Sequence, residues 1–86
     1  MRTWLVYILE CGDGTLYTGI TVDLDRRLAA HASGSASKYT RSRLPVRLIY
    51  HEGQPTRSSA LRREAFIKTL SRDEKLGLTV PPSAIS

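Results

Sequence analysis

Glu64 is the residue that ordinary packing explains least. On a helix its neighbours three and four positions away are Ala60, Leu61, Ile67 and Lys68, so the carboxylate borders an apolar stripe. A charge there costs free energy unless it is paired or holds a cation. Glu64 therefore either pairs with Lys68 or a nearby arginine, or serves as the single protein carboxylate of a magnesium site completed by waters and substrate oxygens. Arg27 and His31, four apart in "LDRRLAAH", share one helix face. They are either solvated or aimed along a sheet at an anion. Tyr7 and Tyr17 stand on two short strand-like runs, where cross-strand packing is the ordinary use of a tyrosine. A phenol that titrates near pH ~10 becomes a base only beside a metal, an arginine or a histidine.

These five residues need elements to bring them together. "TWLVYIL", Thr3 to Leu9, is rich in β-branched and aromatic residues and predicts a strand covered on both faces. "CGDGT" predicts a turn with Asp13-Gly14 at its tip, and Leu16 to Ile20 a second strand, the two forming an antiparallel hairpin. Asp23 is placed to cap a helix from about Leu24 to Ala32. Leu24, Leu28 and Ala32, spaced by four, are expected to face the core. "SGSAS" predicts a flexible loop, and "KYTRSR" a basic loop. Pro45 to His51 reads as a third strand opened by its proline, with Val46, Leu48 and Tyr50 alternating against Arg47, Ile49 and His51.

A second helix is expected from Ser58 or Ser59 to about Leu70. "SRDE", with Ser71 as cap and Glu74 three residues on, is a capping box. It opens a third helix ended by Gly77, followed by a frayed tail. The sum is a small α+β domain, a three-stranded antiparallel sheet flanked by helices, over residues 1–80, with 81–86 as flexible tail.

Bulk properties narrow the classes. Eighty-six residues predict one domain with a thin core. The single cysteine, Cys11, excludes an internal disulfide and a cysteine-rich zinc cage. The apolar run Trp4 to Leu9, closed by Glu10, is too short for a signal core or a membrane span. A cytoplasmic protein without a membrane partner is expected. The net charge of +5 is concentrated: from Arg26 to Arg63 there are nine basic residues, eight of them arginine, against the one acid Glu52. Arginine's planar fork suits phosphate, so a polyanion partner fits this segment. No phosphate-loop lysine motif, dinucleotide fingerprint or nucleophile elbow is present.

"VYIL", then "YTG" about ten residues later, then "RRLAAH", resembles the GIY-YIG nuclease superfamily. Leu5-Val6-Tyr7 stands for the first triplet and Tyr17-Thr18-Gly19 for the second. "KYTR", "PVRLIY" and "RREAFIKTLSRDEK" extend the resemblance, over residues 3 to about 78, to the small stand-alone bacterial subfamily.

The resemblance implies a metal-dependent nuclease that hydrolyses DNA phosphodiesters, with structured, damaged or single-stranded DNA as substrate. It implies Glu64 as ligand of Mg²⁺ or Mn²⁺, Arg27 on the phosphate, and Tyr7 or Tyr17 holding or deprotonating the attacking water, with Tyr7 favoured as base and Tyr17 as positioning group. His31 would assist, and Gly19 would allow close backbone approach. Lys38, Tyr39, Arg41, Arg43 and Arg63 would hold the nucleic-acid backbone. Ile20 and Thr21 stand where many larger members carry a lysine. That departure supports an alternative, a non-catalytic nucleic-acid-binding module with a decayed site. A protein partner supplying specificity is a further expectation, and binding to an acidic protein a third class of function.

Overall fold

Trp4–Glu10 forms β1, Leu16–Thr21 forms β2 and Arg47–Gln54 forms β3. They make one antiparallel sheet in the order β2-β1-β3. The computed structural model describes residues 3–79; the expected tail at 81–86 lies outside the described residues. β1 is the central strand, and its four residues Val6 to Leu9 are all fully buried. That is the two-sided burial its unbroken apolar sequence predicts. The hairpin turn closes through Cys11 N–H to Thr15 C=O at 2.8 Å. Gly14 takes φ +83° at the tip, a conformation that favours glycine.

The two faces of the sheet have different uses. Val6 and Ile8 pair across the sheet with Ile20 and Thr18. They pack with Ala60 and Ile67 of α3, Arg57–Lys68, to form the core. Tyr7 and Leu9 point the other way, as alternation requires, with Gly19 and Tyr17 as their β2 partners. That second face is covered by α1, Leu24–Ala32, and α2, Lys38–Arg41. α4, Arg72–Leu78, sends Leu78 against the core cluster.

Several boundaries differ from the sequence expectation. β3 begins at Arg47, after a cis Leu44–Pro45 bond. It runs on to Gln54 because Trp4 and Leu5 pair with Gln54 and Gly53. An irregularity at Ile8/Leu9 breaks the register, so Tyr50 and Leu48 oppose successive β1 residues and the simple alternation about Ile49 fails. α3 starts earlier than Ser58: Thr56 caps it, and Thr56 and Ser59 exchange the hydrogen bonds of a capping box. Ser71 and Glu74 form the expected second box. Gly77 does not end that helix, which continues to Leu78 and is capped by Thr79. "KYTR" is not a loop but one helical turn, opened by Ser37 Oγ accepting from the Tyr39 N–H at 3.1 Å. In α1 the inner stripe is Leu24, Leu28 and His31, while Ala32 is exposed. At 100° per residue, position 31 returns to the line of 24 and 28, and position 32 rotates outward.

Candidate active site

The sheet face under α1 holds a chain of polar contacts that leads from solvent to the interior. Asp23 fixes the start of α1 by accepting from the Arg26 N–H at 3.1 Å. From there the helix places Arg27 and His31 one turn apart above the hairpin. Arg27 Nε donates to the Tyr7 hydroxyl at 3.3 Å. The same hydroxyl lies 2.9 Å from His31 Nε2, and His31 Nδ1 lies 2.8 Å from Thr40 Oγ1. Tyr7, His31 and Thr40 are all 0% exposed.

Gly19 makes the arrangement possible. A Cβ built on it would sit 2.5 Å from the Tyr7 hydroxyl oxygen and 2.6 Å from Cζ. The ring of Tyr7 therefore lies in the space a side chain on β2 would take. Tyr17 stands beside it, with ring centroids 6.5 Å apart, and meets the His31 ring edge-on at 5.2 Å. Tyr39 stacks on Tyr17 at 5.9 Å, and the Arg43 guanidinium lies 3.9 Å above the Tyr39 ring. Arg43 is in turn paired with Asp13 of the hairpin turn at 3.0 Å.

Electrostatics follow from burial and from Arg27. Burial pushes the Tyr7 phenol up; Arg27 pulls it back down in part, while Tyr17 and Glu64 add to the upward push. Burial, then the Arg27 charge, lowers His31 below the ordinary imidazole value. Its hydrogen bond with Tyr7 raises Arg27 further, so the guanidinium stays charged. An open pocket of about 270 Å³ adjoins this cluster, lined by Thr21, Val22, Asp23, Arg26, Arg27 and Ala30. Arg27 thus belongs both to the pocket and to the part-buried Tyr7 contact.

Glu64 approaches from the opposite face. Ala60 and Ile67 form the buried line of α3, and Arg63 and Glu64 flank it on either side. Arg63 Nε bonds both oxygens of Glu52 on β3, at 2.9 and 3.1 Å. The Glu64 side chain is 19% exposed, with Lys68 Nζ at 3.6 Å. Its negative charge is felt at Tyr7. The structure therefore brings together Tyr7, Tyr17, Gly19, Arg27, His31, Tyr39 and Arg43. Lys38 and Arg41 are exposed on α2. Arg63 is held on the β3 side. Thr40 was not foreseen, because nothing in the spacing of a threonine within "KYTR" signals a bond to a histidine nine residues earlier. Thr18, the middle residue of the second triplet, is buried with no partner for its hydroxyl among the described residues.

A three-stranded sheet with a Tyr-Arg-His cluster against one hairpin and a glutamate on the packed helix defines a class, and comparison with known proteins assigns it. The family model for the GIY-YIG catalytic domain matches residues 3–76, and the chain belongs to that family. It is 51% identical over 71 residues to a UPF0213 protein of Streptococcus sanguinis, covering 83% of this chain and 82% of the relative. It is 52% identical over 73 residues to one of Halobacterium salinarum, covering 85% and 95%. Among solved structures, the solution NMR structure of a UPF0213 protein from Bacillus halodurans matches with a TM-score of 0.55 and 50% identity, over 91% of this chain and 82% of the other. A protein from E. faecalis matches with a TM-score of 0.63 and 40% identity, over 90% and 82%.

Proposed function

We propose that this protein is a divalent-metal-dependent nuclease that hydrolyses DNA phosphodiester bonds, with structured, damaged or single-stranded DNA as its substrates. The observation that carries the reading is the Tyr7 hydroxyl, bonded to Arg27 and to the buried His31, with Arg27 at the wall of an open pocket. A guanidinium held at the wall of a pocket suits a phosphodiester and the charge that develops on it. A phosphate in the pocket draws Arg27 outward and uncovers the Tyr7 hydroxyl. Tyr7 then takes a proton from the attacking water as its own proton passes to His31 Nε2, which is neutral because its pKa is lowered. Tyr17, half-buried beside the ring of Tyr7, positions the water.

The donor set suits a magnesium ion held by one carboxylate. Glu64 is mostly buried, and among the described residues its one pairing is the long contact to Lys68 and no group of three or more His, Cys, Asp or Glu side chains occurs. When bound by Glu64, Mg²⁺ or Mn²⁺ supplies polarisation of the scissile phosphate and stabilisation of the leaving 3′-oxygen. Lys38 and Arg41, with Tyr39 and Arg43 behind them, form a basic surface for the nucleic-acid backbone, which contributes grip without sequence readout. Arg63, expected on the nucleic-acid backbone, is instead paired with Glu52 on the β3 side. Specificity comes from DNA shape or from a protein partner. Among the described residues no helix is long and apolar enough to cross a membrane, and a cytoplasmic setting fits the single reduced Cys11.

The Glu64–Lys68 ion pair favours a second reading, a nucleic-acid-binding module with a decayed site. One experiment separates the two. A labelled panel of branched, nicked and single-stranded DNAs is incubated with wild type and Glu64→Ala in Mg²⁺, Mn²⁺ or EDTA. The nuclease predicts cleavage that needs metal and disappears in the variant while binding persists. Salt-sensitive binding without cleavage in either protein selects the module.

A further inference from the structure

The polar chain does not end at His31. Thr40 is fully buried and its hydroxyl meets Nδ1 at 2.8 Å. The same hydroxyl lies 3.4 Å from the Ser37 carbonyl, the residue that caps α2. Donors and acceptors along this chain can be assigned by satisfying each group in turn. Arg27 can only donate, so the Tyr7 oxygen accepts from it. The Tyr7 O–H must then find an acceptor inside the protein, and Nε2 is the atom in reach. A neutral imidazole accepting at Nε2 carries its proton on Nδ1. Nδ1–H donates to Thr40 Oγ1, and the Thr40 O–H is left for the Ser37 carbonyl. The reverse assignment sends two donors onto the Tyr7 oxygen and leaves the Tyr7 O–H buried without an acceptor, which is unfavourable.

We propose that Thr40 is a positioning residue that holds His31 in its Nδ1–H tautomer and so keeps Nε2 free as the proton acceptor for Tyr7. α2 is thereby part of the site rather than a connector. Its Tyr39 ring stacks on Tyr17 while the next residue fixes the imidazole, so one helical turn sets both the second tyrosine and the histidine. The tautomer assignment stands on geometry alone; its catalytic consequence rests on the nuclease reading. An imidazole in the other tautomer offers Tyr7 a donor where the proton transfer needs an acceptor.

The test is the tautomeric state of His31, read from long-range ¹H–¹⁵N NMR couplings of the imidazole in wild type, Thr40→Ser and Thr40→Val. His51→Gln removes the second of the two histidines and assigns the signals. Wild type and Thr40→Ser are expected in the Nδ1–H form, and Thr40→Val is expected to lose that preference. Observation of the Nε2–H form in wild type overturns the proposal, and this arm holds even where Thr40→Val does not fold. Retention of an unchanged Nδ1–H form in folded Thr40→Val overturns it equally. Where DNA is cleaved, Thr40→Val lowers kcat roughly ten- to a hundredfold with KM unchanged, and Thr40→Ser restores the rate. Absence of any cleavage with the tautomer as assigned removes the nuclease reading and leaves the positioning of His31 standing.

Discussion

The hydroxyl of Tyr7 lies 2.5 Å from the point where a Cβ on Gly19 would be, so these two residues are fitted to each other across β1 and β2. Gly19→Ala must push the phenol off both Arg27 and His31. Overpacking of this kind costs about 1–3 kcal/mol, which in a domain of this size lowers Tm by roughly 4–8 °C per kcal/mol. We expect Gly19→Ala to melt several degrees below wild type and to lose cleavage. A variant with unchanged Tm and activity would mean that Tyr7 does not need the position described.

Tyr7→Phe separates chemistry from packing. The ring still fills the space over Gly19, and only the contacts with Arg27 and His31 are lost. General-base catalysis contributes roughly 10²–10⁴-fold, so cleavage should fall at least a hundredfold. DNA binding, measured by anisotropy, should stay within about threefold of wild type, in keeping with backbone contacts that are made elsewhere on the surface.

Stability should depend on pH through His31. Burial and the Arg27 charge lower its pKa in the folded state, so the unfolded chain binds the proton first. Its contribution is fully present above the unfolded value near ~6.5 and is lost as pH falls from there toward the lowered folded value. Denaturant midpoints are therefore expected to drop as the pH falls below about 6.5. His31→Gln should flatten that part of the curve. A wild-type curve already flat across this range would show that His31 is not held neutral.

The Glu52–Arg63 pair predicts a structural effect on the other face of the sheet. Burial pushes the Glu52 carboxyl up, but hydrogen bonds from Tyr50, Arg63 and Gln54 outweigh it and hold it below the ordinary range. Removing the acceptor in Glu52→Ala strands the Tyr50 hydroxyl and Arg63 Nε, which are bonded to it at 2.8 and 2.9 Å. A loss of about 1–3 kcal/mol is expected by chemical denaturation.

Binding to single-stranded DNA should weaken steeply with salt. Lys38→Ala and Arg41→Ala each remove an exposed cation of α2. Each is expected to reduce the slope of log K against log salt by roughly 0.7–1. A slope unchanged in the double variant would place the nucleic-acid surface elsewhere.

The parts of this architecture that were legible in the sequence are those with local causes. The apolar run of β1, the Asp13-Gly14 turn, the Asp23 cap and the Ser71–Glu74 box each follow from neighbours in the chain, and each is present. The spacing of four put Arg27 and His31 on one helix face, and of the two readings that left open the structure selects the approach to the hairpin. What escaped depends on distant contacts. The extension of β3 to Gln54 is set by pairing with Trp4. The inward turn of His31 in place of Ala32 is set by helix phase and by Tyr7 and Thr40, which satisfy a buried imidazole that a hydropathy pattern places outside. "KYTR" reads as basic loop because its charges are visible and its one buried residue, Thr40, is small and polar.

The single turn of α2 also bears on how the chain tolerates changes in length. A surface connection between a helix and a strand ordinarily accepts an added or missing residue at little cost. Here Tyr39 and Thr40 are neighbours in sequence with separate destinations on Tyr17 and His31. One residue inserted between Ser37 and Tyr39 turns everything after it by about 100° and sends both side chains to the wrong place. The segment thus behaves as a counted spacer. Tags and grafted loops therefore belong away from the segment between α1 and β3.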